Sequence, residues 1–374
     1  MNAHSELAYT IALTNLKGIG SIRARLLLQE FGSAEAVFRA DASRLKILRH
    51  VGDVIVEQRD NPQLFTRAEE EIRFAESHHI QTLIYGQPGY PSRLMECPDA
   101  PCLLYYLGEA NLDSPHVVGI VGTRSCSMYG RDQVAKFVQE LKQLVPDVIV
   151  ISGLALGIDV SAHKAALNED VPTVGVVAHG LDRVYPQEHR QIAKEMLMKH
   201  GGMITEYPTH TEPERGNFLA RNRIIAGLSD AILVAESKAK GGALVTAAIA
   251  ADYYREVFAF PGRISDIRSE GCNRLIRQNK AGLITCAEDF VEAMNWGNSA
   301  VKPTSIQQSI PFEEDNLSAQ ARLIVDTLSN MGDLLISQLT EATGLSHSIL
   351  FEELLNLEME GKIRSTPGGL YQLR

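Results

Sequence analysis

Three patterns of apolar and polar positions follow one another along the chain. Through residues 1–78 apolar side chains recur at three- and four-residue spacing, as in Leu26, Leu27 and Phe31 and again in Ile72 and Phe74, with no alternating segment between them. That period belongs to helices, and the segment reads as a small all-α domain. From 79 to 296 short β-rich runs alternate with amphipathic stretches: V-V-G-I-V-G (117–122), V-I-V-I-S-G (148–153), T-V-G-V-V-A-H-G (173–180), M-I-T-E-Y (203–207), A-I-L-V-A-E (231–236) and V-F-A-F-P-G (257–262). Continuous apolar runs of this length are strands buried on both faces. A helix after each one implies an α/β fold, a doubly wound parallel sheet with an extended Rossmann-like core. Residues 297–317 are polar, proline-containing and aperiodic, and read as a linker. Residues 318–374 give three short helical patterns and then two β segments around P-G-G, the order of a C-terminal winged helix.

Composition narrows the classes. A chain of 374 residues exceeds one ordinary core. Its net charge of -10 argues against a surface coated in Lys and Arg for indiscriminate duplex binding, so any nucleic-acid site must be local. The acidic residues outnumber the basic ones by one over 1–85, by four over 86–296 and by five over 297–374, which makes the tail the most acidic region for its size. Five cysteines show no C-x-x-C pair, so neither zinc nor a disulfide framework is expected. The start, M-N-A-H-S-E-L-A-Y-T, has no basic segment ahead of an apolar core, and no later run nears the roughly 18 residues of a spanning helix. A cytoplasmic protein without a membrane segment is the expectation.

Four segments should meet at the carboxyl edge of the sheet, where ligands of open α/β folds bind. They are G-T-R-S-C-S-M-Y-G (122–130), S-G-L-A-L-G-I-D (152–159), F-L-A-R-N-R-I-I-A-G-L-S (218–229) and K-A-K-G-G-A-L-V-T-A (238–247). Glycine turns bring backbone N–H groups close to an anion, and hydroxyls and guanidinium forks complete an anion-binding set. A nicotinamide cofactor fits poorly. G-I-V-G lacks the full G-x-G-x-x-G, and the second strand ends in Ser152-Gly153 where a carboxylate should read the ribose. No Ser/His/Asp order, metal set or carboxylate pair converges on these loops, so a catalytic reading is thin, and a phosphate chain fits better than a cofactor. Repeated phosphate contacts without base-edge readers describe a single-strand binder, with Phe218 and Tyr129 as stacking faces.

At these residues the chain resembles the DNA-processing protein A family (DprA, also called Smf). V-V-G-I-V-G-T-R-x-x-S-x-Y-G, S-G-L-A-x-G-I-D-x-x-A-H-x-x-A-L, Y-P, R-N-R-I-I-A-G-L-S and V-F-A-F-P-G followed by G-C-N-R-L-I occur in that order between about Tyr90 and Phe290. The flanks resemble the family's sterile-alpha-motif-like head and winged-helix tail. The resemblance implies single-stranded DNA as ligand, the recombinase RecA as partner in natural transformation, a homodimer and no established enzymatic activity. It places the DNA pocket on Gly122, Thr123, Arg124, Ser127, Ser152, Gly153, Gly157, Phe218, Asn222 and Arg223; this chain's own residues add Arg215, Arg221 and Lys240 as DNA-binding candidates. The chain departs from many relatives at Leu156 and Gln187, where they carry basic residues. Lys238, Lys240 and Arg215 are the candidates to restore that charge. Two other classes stay open: a nucleotide phosphoribohydrolase of the lysine-decarboxylase-like group, whose P-G-G-x-G-T-x-x-E signature is absent, and a protein-interaction scaffold.

Several residues carry plainer readings. Asp159 is expected as a helix N-cap, and His163 and His179 as core or edge histidines. Leu16–Gly20 matches a helix-hairpin-helix turn. Leu275, Ile276, Leu283 and Ile284 follow the last core strand with no further strand to cover them, so a dimer interface is expected there. In the tail, Leu350, Leu354, Leu355 and Leu357 read as core. Glu352, Glu353, Glu358 and Glu360 oppose a duplex on what would be the recognition helix, so a protein contact or shielding of the pocket is expected of this domain.

Overall fold

The six apolar runs form six parallel strands in a larger sheet than the sequence pattern outlines. The computed structural model describes residues 4–47, 53–296, 318–366 and 370–373, in two units, Met1–Ser299 and Ala300–Arg374. The strands of the first unit are β1 (Gln81–Ile84), β2 (Leu103–Gly108), β3 (Val117–Val121), β4 (Ile149–Ser152), β5 (Thr173–Val176), β6 (Gly202–Thr205), β7 (Ala231–Val234), β8 (Glu256–Ala259) and β9 (Gly282–Leu283). Their order is β1-β2-β6-β5-β4-β3-β7-β8-β9. All neighbours from β6 to β9 are parallel, whereas β1 pairs antiparallel with β2 and β2 with β6. The chain leaves β3 towards β6 on one side and returns to β7 on the other. The topological switch point therefore lies between β3 and β7, which pair through Val118 and Ala231.

Helices cover both faces, in the order α1 (Glu6–Thr14), α2 (Ser21–Phe31), α3 (Ala34–Arg39), α4 (Ala42–Ile47), α5 (Asp53–Arg59), α6 (Pro62–Ser77), α7 (Ser92–Met95), α8 (Met128–Leu144), α9 (Ile158–Asn168), α10 (Arg190–Met198), α11 (Arg215–Leu228), α12 (Gly242–Asp252), α13 (Glu270–Arg277) and α14 (Ala287–Ala293). The pleat sorts successive side chains. Val118 and Ile120 pack with Val134, Phe137 and Phe290 of α8 and α14, while Val117 and Val121 pack with Ile224, Ala243 and Cys272 from α11, α12 and α13. The helices α1 and α6 rest on the β1–β2 face, where Ile11, Ala68 and Ala75 meet Leu103 and Tyr105. The buried Glu71 carboxylate ties α6 to the turn after β6 by accepting the Thr209 hydroxyl at 2.6 Å and its amide at 3.0 Å. Leu27 fills this region's core as its spacing predicts, but Leu26 is exposed.

The edge after β8 differs from expectation. Gly282 pairs with Phe258, so β9 is the covering strand the sequence reading did not supply. Leu275 and Ile284 are buried within the unit, Ile276 packs partly against the same core, and only Leu283 of the four is exposed. The expected 297–317 linker and the P-G-G turn at 367–369 lie outside the described residues.

In the second unit α15 (Ala319–Met331), β10 (Leu334–Leu335), α16 (Ile336–Thr343), α17 (His347–Met359), β11 (Ile363–Thr366) and β12 (Leu370–Leu373) make a three-helix winged helix with sheet order β10-β12-β11. Ile324, Leu328, Leu339, Leu350, Leu354 and Leu357 form its core. Leu355, expected there, is exposed one turn from Phe351 and Met359, so α17 shows an apolar row outward.

Candidate nucleic-acid interface

The loops that leave β3 and β7 diverge at the switch point and enclose a cavity of about 290 Å³. Gly122, Thr123 and Arg124 line one wall, Lys238, Lys240, Gly241 and Gly242 another, with Ala155 from the loop before α9, Asp159 from its first turn, and Phe218, Arg221 and Asn222 from α11. Two glycines permit this approach of loops. A Cβ at Gly122 would fall 2.4 Å from Ile158, and one at Gly157, where φ is +81°, would fall 2.2 Å from the Thr123 carbonyl. The helix α12 has Gly241 at its N-cap and so no side-chain cap, and its first turn offers backbone amides to the cavity.

Positive charge collects here in excess of the one lining carboxylate, Asp159. Arg124, Arg215, Lys238 and Lys240 are exposed and make no ion pair among the described residues. Arg215 joins Arg124, Lys240 and Arg274 along an adjoining groove, so the positions proposed to replace the charge missing at Leu156 and Gln187 do face this site. The Phe218 ring lies within cation–π range of two guanidinium groups, 5.0 Å from that of Arg124 and 5.9 Å from that of Arg221. Tyr185 stands 6.0 Å from the same ring.

Arg221 is built in from below. It is buried, donates to the Gly153 carbonyl at 3.0 Å and lies 3.9 Å from the Asp159 carboxylate. Burial lowers its pKa from the ordinary value, and Asp159 opposes that shift. Burial likewise raises the Asp159 pKa, with Arg221 and the amides of Ala155 and Gly122 pulling it back. The N-cap of α9 is Gly157, so Asp159 sits in the first turn as the partner of Arg221 and not as the expected cap. The Arg221 Nε has no hydrogen-bond partner among the described residues.

Other site candidates occupy different places. The Ser152 hydroxyl is buried and donates to the Ile120 carbonyl at 2.6 Å. Ser127 caps α8, accepting from Gly130, while its amide and hydroxyl donate to Glu236 at 2.8 and 2.5 Å. Glu236 is buried against Gly130, where an added Cβ would meet its carboxyl carbon at 2.5 Å. The chain's own carboxylate thus fills the helix N-terminus at which dinucleotide folds hold a pyrophosphate. Arg223 does not reach the cavity. It binds Glu206 and donates to Ser21 at 3.0 Å, lining a separate cleft of about 760 Å³ with the start of α2. Helical phase separates these positions, because 215, 218, 221 and 222 share one side of α11 and 223 does not. Glu236 left no such signal.

His163 is buried with Nδ1 2.7 Å from Thr173 Oγ1, and His179 Nδ1 lies 2.8 Å from the Gly180 carbonyl. Among the described residues no group of three His, Cys, Asp or Glu could hold a metal, and no helix is long and apolar enough to cross a membrane.

A mostly parallel Rossmann-like core with a cationic cavity at its switch point, followed along the chain by a winged helix, defines the class. Family models agree with both parts: DNA recombination-mediator protein A matches residues 81–295 and the DprA winged helix domain matches residues 311–369. The chain belongs to the DNA processing protein A (DprA/Smf) family, one of DNA processing and recombination. It is 32% identical to Protein Smf of Synechocystis sp. over 406 aligned positions that span all of both chains. Among solved structures it is similar to DNA processing protein A from Streptococcus pneumoniae, with 32% identity, a TM-score of 0.61, and coverage of 78% of this chain and 98% of that one. A second, DNA processing protein A from Helicobacter pylori, is described for its single-stranded DNA binding mode. It shares 29% identity at a TM-score of 0.52, covering 59% of this chain and 98% of that one.

Proposed function

We propose that this chain binds single-stranded DNA in the switch-point cavity and loads the recombinase RecA onto it, in the cytoplasm and as a homodimer, without catalysing a reaction. The observation that carries the reading is the set of four cations without an ion pair among the described residues, Arg124, Arg215, Lys238 and Lys240, around the Phe218 ring. Cations follow a phosphate backbone and a ring face accepts any base, which together bind a strand without reading its sequence. Asp159, a carboxylate lining the cavity, is committed to Arg221, which leaves it poorly placed as a general base. The binding mode described for the Helicobacter pylori relative supports the same ligand. On this reading residues 79–296 hold the strand and the 1–78 and 318–374 segments are accessory modules. Leu283 and the partly covered Ile276 are the two of the four edge residues left to meet a second copy.

The test titrates labelled oligo-dT and hydrolysable nucleotides in parallel, then follows RecA filament growth on DNA precoated with single-strand-binding protein. Tight, salt-sensitive oligo-dT binding with no nucleotide turnover and faster filament nucleation is expected. Nucleotide hydrolysis without strand binding would give the site to an enzyme, and unchanged nucleation would remove the recombinase from the reading.

A further inference from the structure

Beyond Arg124 the surface continues onto a loop that the cavity does not use. We propose that the start of α8 and the loop between β8 and α13, residues 260–269, form a second subsite for single-stranded nucleic acid, continuous with the first; this rests on the reading of the cavity given above. Two hydrogen bonds clamp these segments together. Tyr129 Oη donates to the Pro261 carbonyl at 3.3 Å, and Arg268 Nε donates to the carbonyl of Ser125, the residue after Arg124, at 3.0 Å. Large apolar side chains stand out from the joined surface: Ile264 is 100% exposed, Met128 75%, Ile267 66% and Tyr129 49%. Four such residues, two on the first turn of α8 and two on the neighbouring loop, are a contact surface awaiting an occupant.

Charge identifies that occupant. Arg131 and Arg263 are exposed beside this row, Arg263 without an ion pair among the described residues, and Arg268 and Arg124 border it. The carboxylates on the same segments are Asp132, Asp266 and Glu270. Asp266 is engaged locally, accepting the Arg268 amide at 2.9 Å and lying 3.9 Å from its guanidinium. Apolar and aromatic faces between guanidinium groups suit bases carried on a phosphate chain. An acidic protein surface would gain the charge contacts but would leave the Tyr129 face without a base to stack on, and a neutral one would gain neither. Because three carboxylates offset part of the positive charge, stacking should contribute more here than ion pairing, the reverse of the balance in the cavity.

The experiment compares oligo-dT of 5 and 15 nucleotides at low salt, on the full chain, in Tyr129→Ala and in Ile264→Ser with Ile267→Ser. The expected result is a loss of about 10-fold on the 15-mer for each variant, with less than a 2-fold change on the 5-mer and an unchanged salt slope. A 15-mer carrying 5-iododeoxyuridine should crosslink to Tyr129, a readout that a merely structural role would not give. Arg263→Glu, on an exposed loop position where folding is not at risk, should weaken only the 15-mer. Equal losses on both lengths, no loss on the 15-mer, or crosslinks confined to the cavity would overturn the second subsite and leave the first standing. A wild-type chain that bound neither oligonucleotide would overturn both.

Discussion

Gly153→Ala tests whether the site is assembled on the buried Arg221. The added Cβ would stand 1.8 Å from Arg221 Nη1 and 2.4 Å from its Cζ, so the guanidinium must leave. It would abandon its 3.0 Å bond to the Gly153 carbonyl, about 1.5–3 kcal/mol for a charged donor. It would also withdraw from Asp159. At 3.9 Å and an effective dielectric near 20 that attraction is roughly 4 kcal/mol, only part of which is lost because the displaced cation can face the cavity. The Gly-to-Ala change returns about 0.4–1 kcal/mol through the unfolded chain, since φ at Gly153 is not positive. A net destabilisation of about 2–3 kcal/mol is expected in urea unfolding followed by the fluorescence of Trp296, which packs on Phe290 in the first unit. Oligo-dT affinity should fall as well, because Arg221 underlies Phe218. In an Arg221→Met background, where a flexible side chain replaces the planar guanidinium, the same substitution should cost under about 0.5 kcal/mol. A Gly153→Ala protein as stable and as tight-binding as wild type, or a full cost retained in the Arg221→Met background, would refute the reasoning.

Arg124→Ala should weaken oligo-dT binding by about 1.5–3 kcal/mol and flatten the salt slope by about 0.7, measured by fluorescence anisotropy across a salt series. Arg223→Ala should leave that slope unchanged and instead lower stability by about 3 kcal/mol, because it strands Glu206, whose pKa burial already raises. His163 has its pKa lowered from 6.5 to about 3 by burial. Thr173 Oγ1 donates to the Val150 carbonyl and so accepts from His163 Nδ1, which leaves Nε2 without a partner for an added proton. Its contribution is therefore complete above pH 6.5 and shrinks as pH falls, by about 2 kcal/mol at pH 5; a His163→Gln chain should show a correspondingly flatter acid limb in unfolding free energy against pH. Ending the chain at Gly297 should leave oligo-dT affinity unchanged or slightly raised. The separate 318–374 segment should show no gel shift with duplex DNA at physiological salt, since α17 turns Phe351, Leu355 and Met359 outward among glutamates.

The strands β3 to β8 were legible because each is buried on both faces over most of its length and is largely apolar there. By contrast, β9 is two residues long and exists through its pairing with β8, which no local pattern announces. The strand β2, L-L-Y-Y-L-G, is as apolar as the others, but its antiparallel place beside β6 depends on tertiary order and not on period. In the site, the glycine turns and Arg124 stood out because few structural roles need them together. Arg221 and Arg223 share the motif R-N-R, and their roles part through partners far along the chain: Gly153 and Asp159 for one, Glu206 and Ser21 for the other. The outward row on α17 was hidden for a related reason. Leu355 neighbours three core leucines, and only the exact turn of the helix sends it outward.

The carboxylate of Glu236 at the head of α8 bears on what competes for this protein in a living cell. Free nucleotides and dinucleotide cofactors far outnumber exposed strands, and an open glycine loop would spend much of its time holding them. Here the seat for their diphosphate is taken by a side chain that folds into place with the sheet and cannot diffuse away. The head of α8 is thereby closed from within, and the open cavity beside it has to select its ligand by other means.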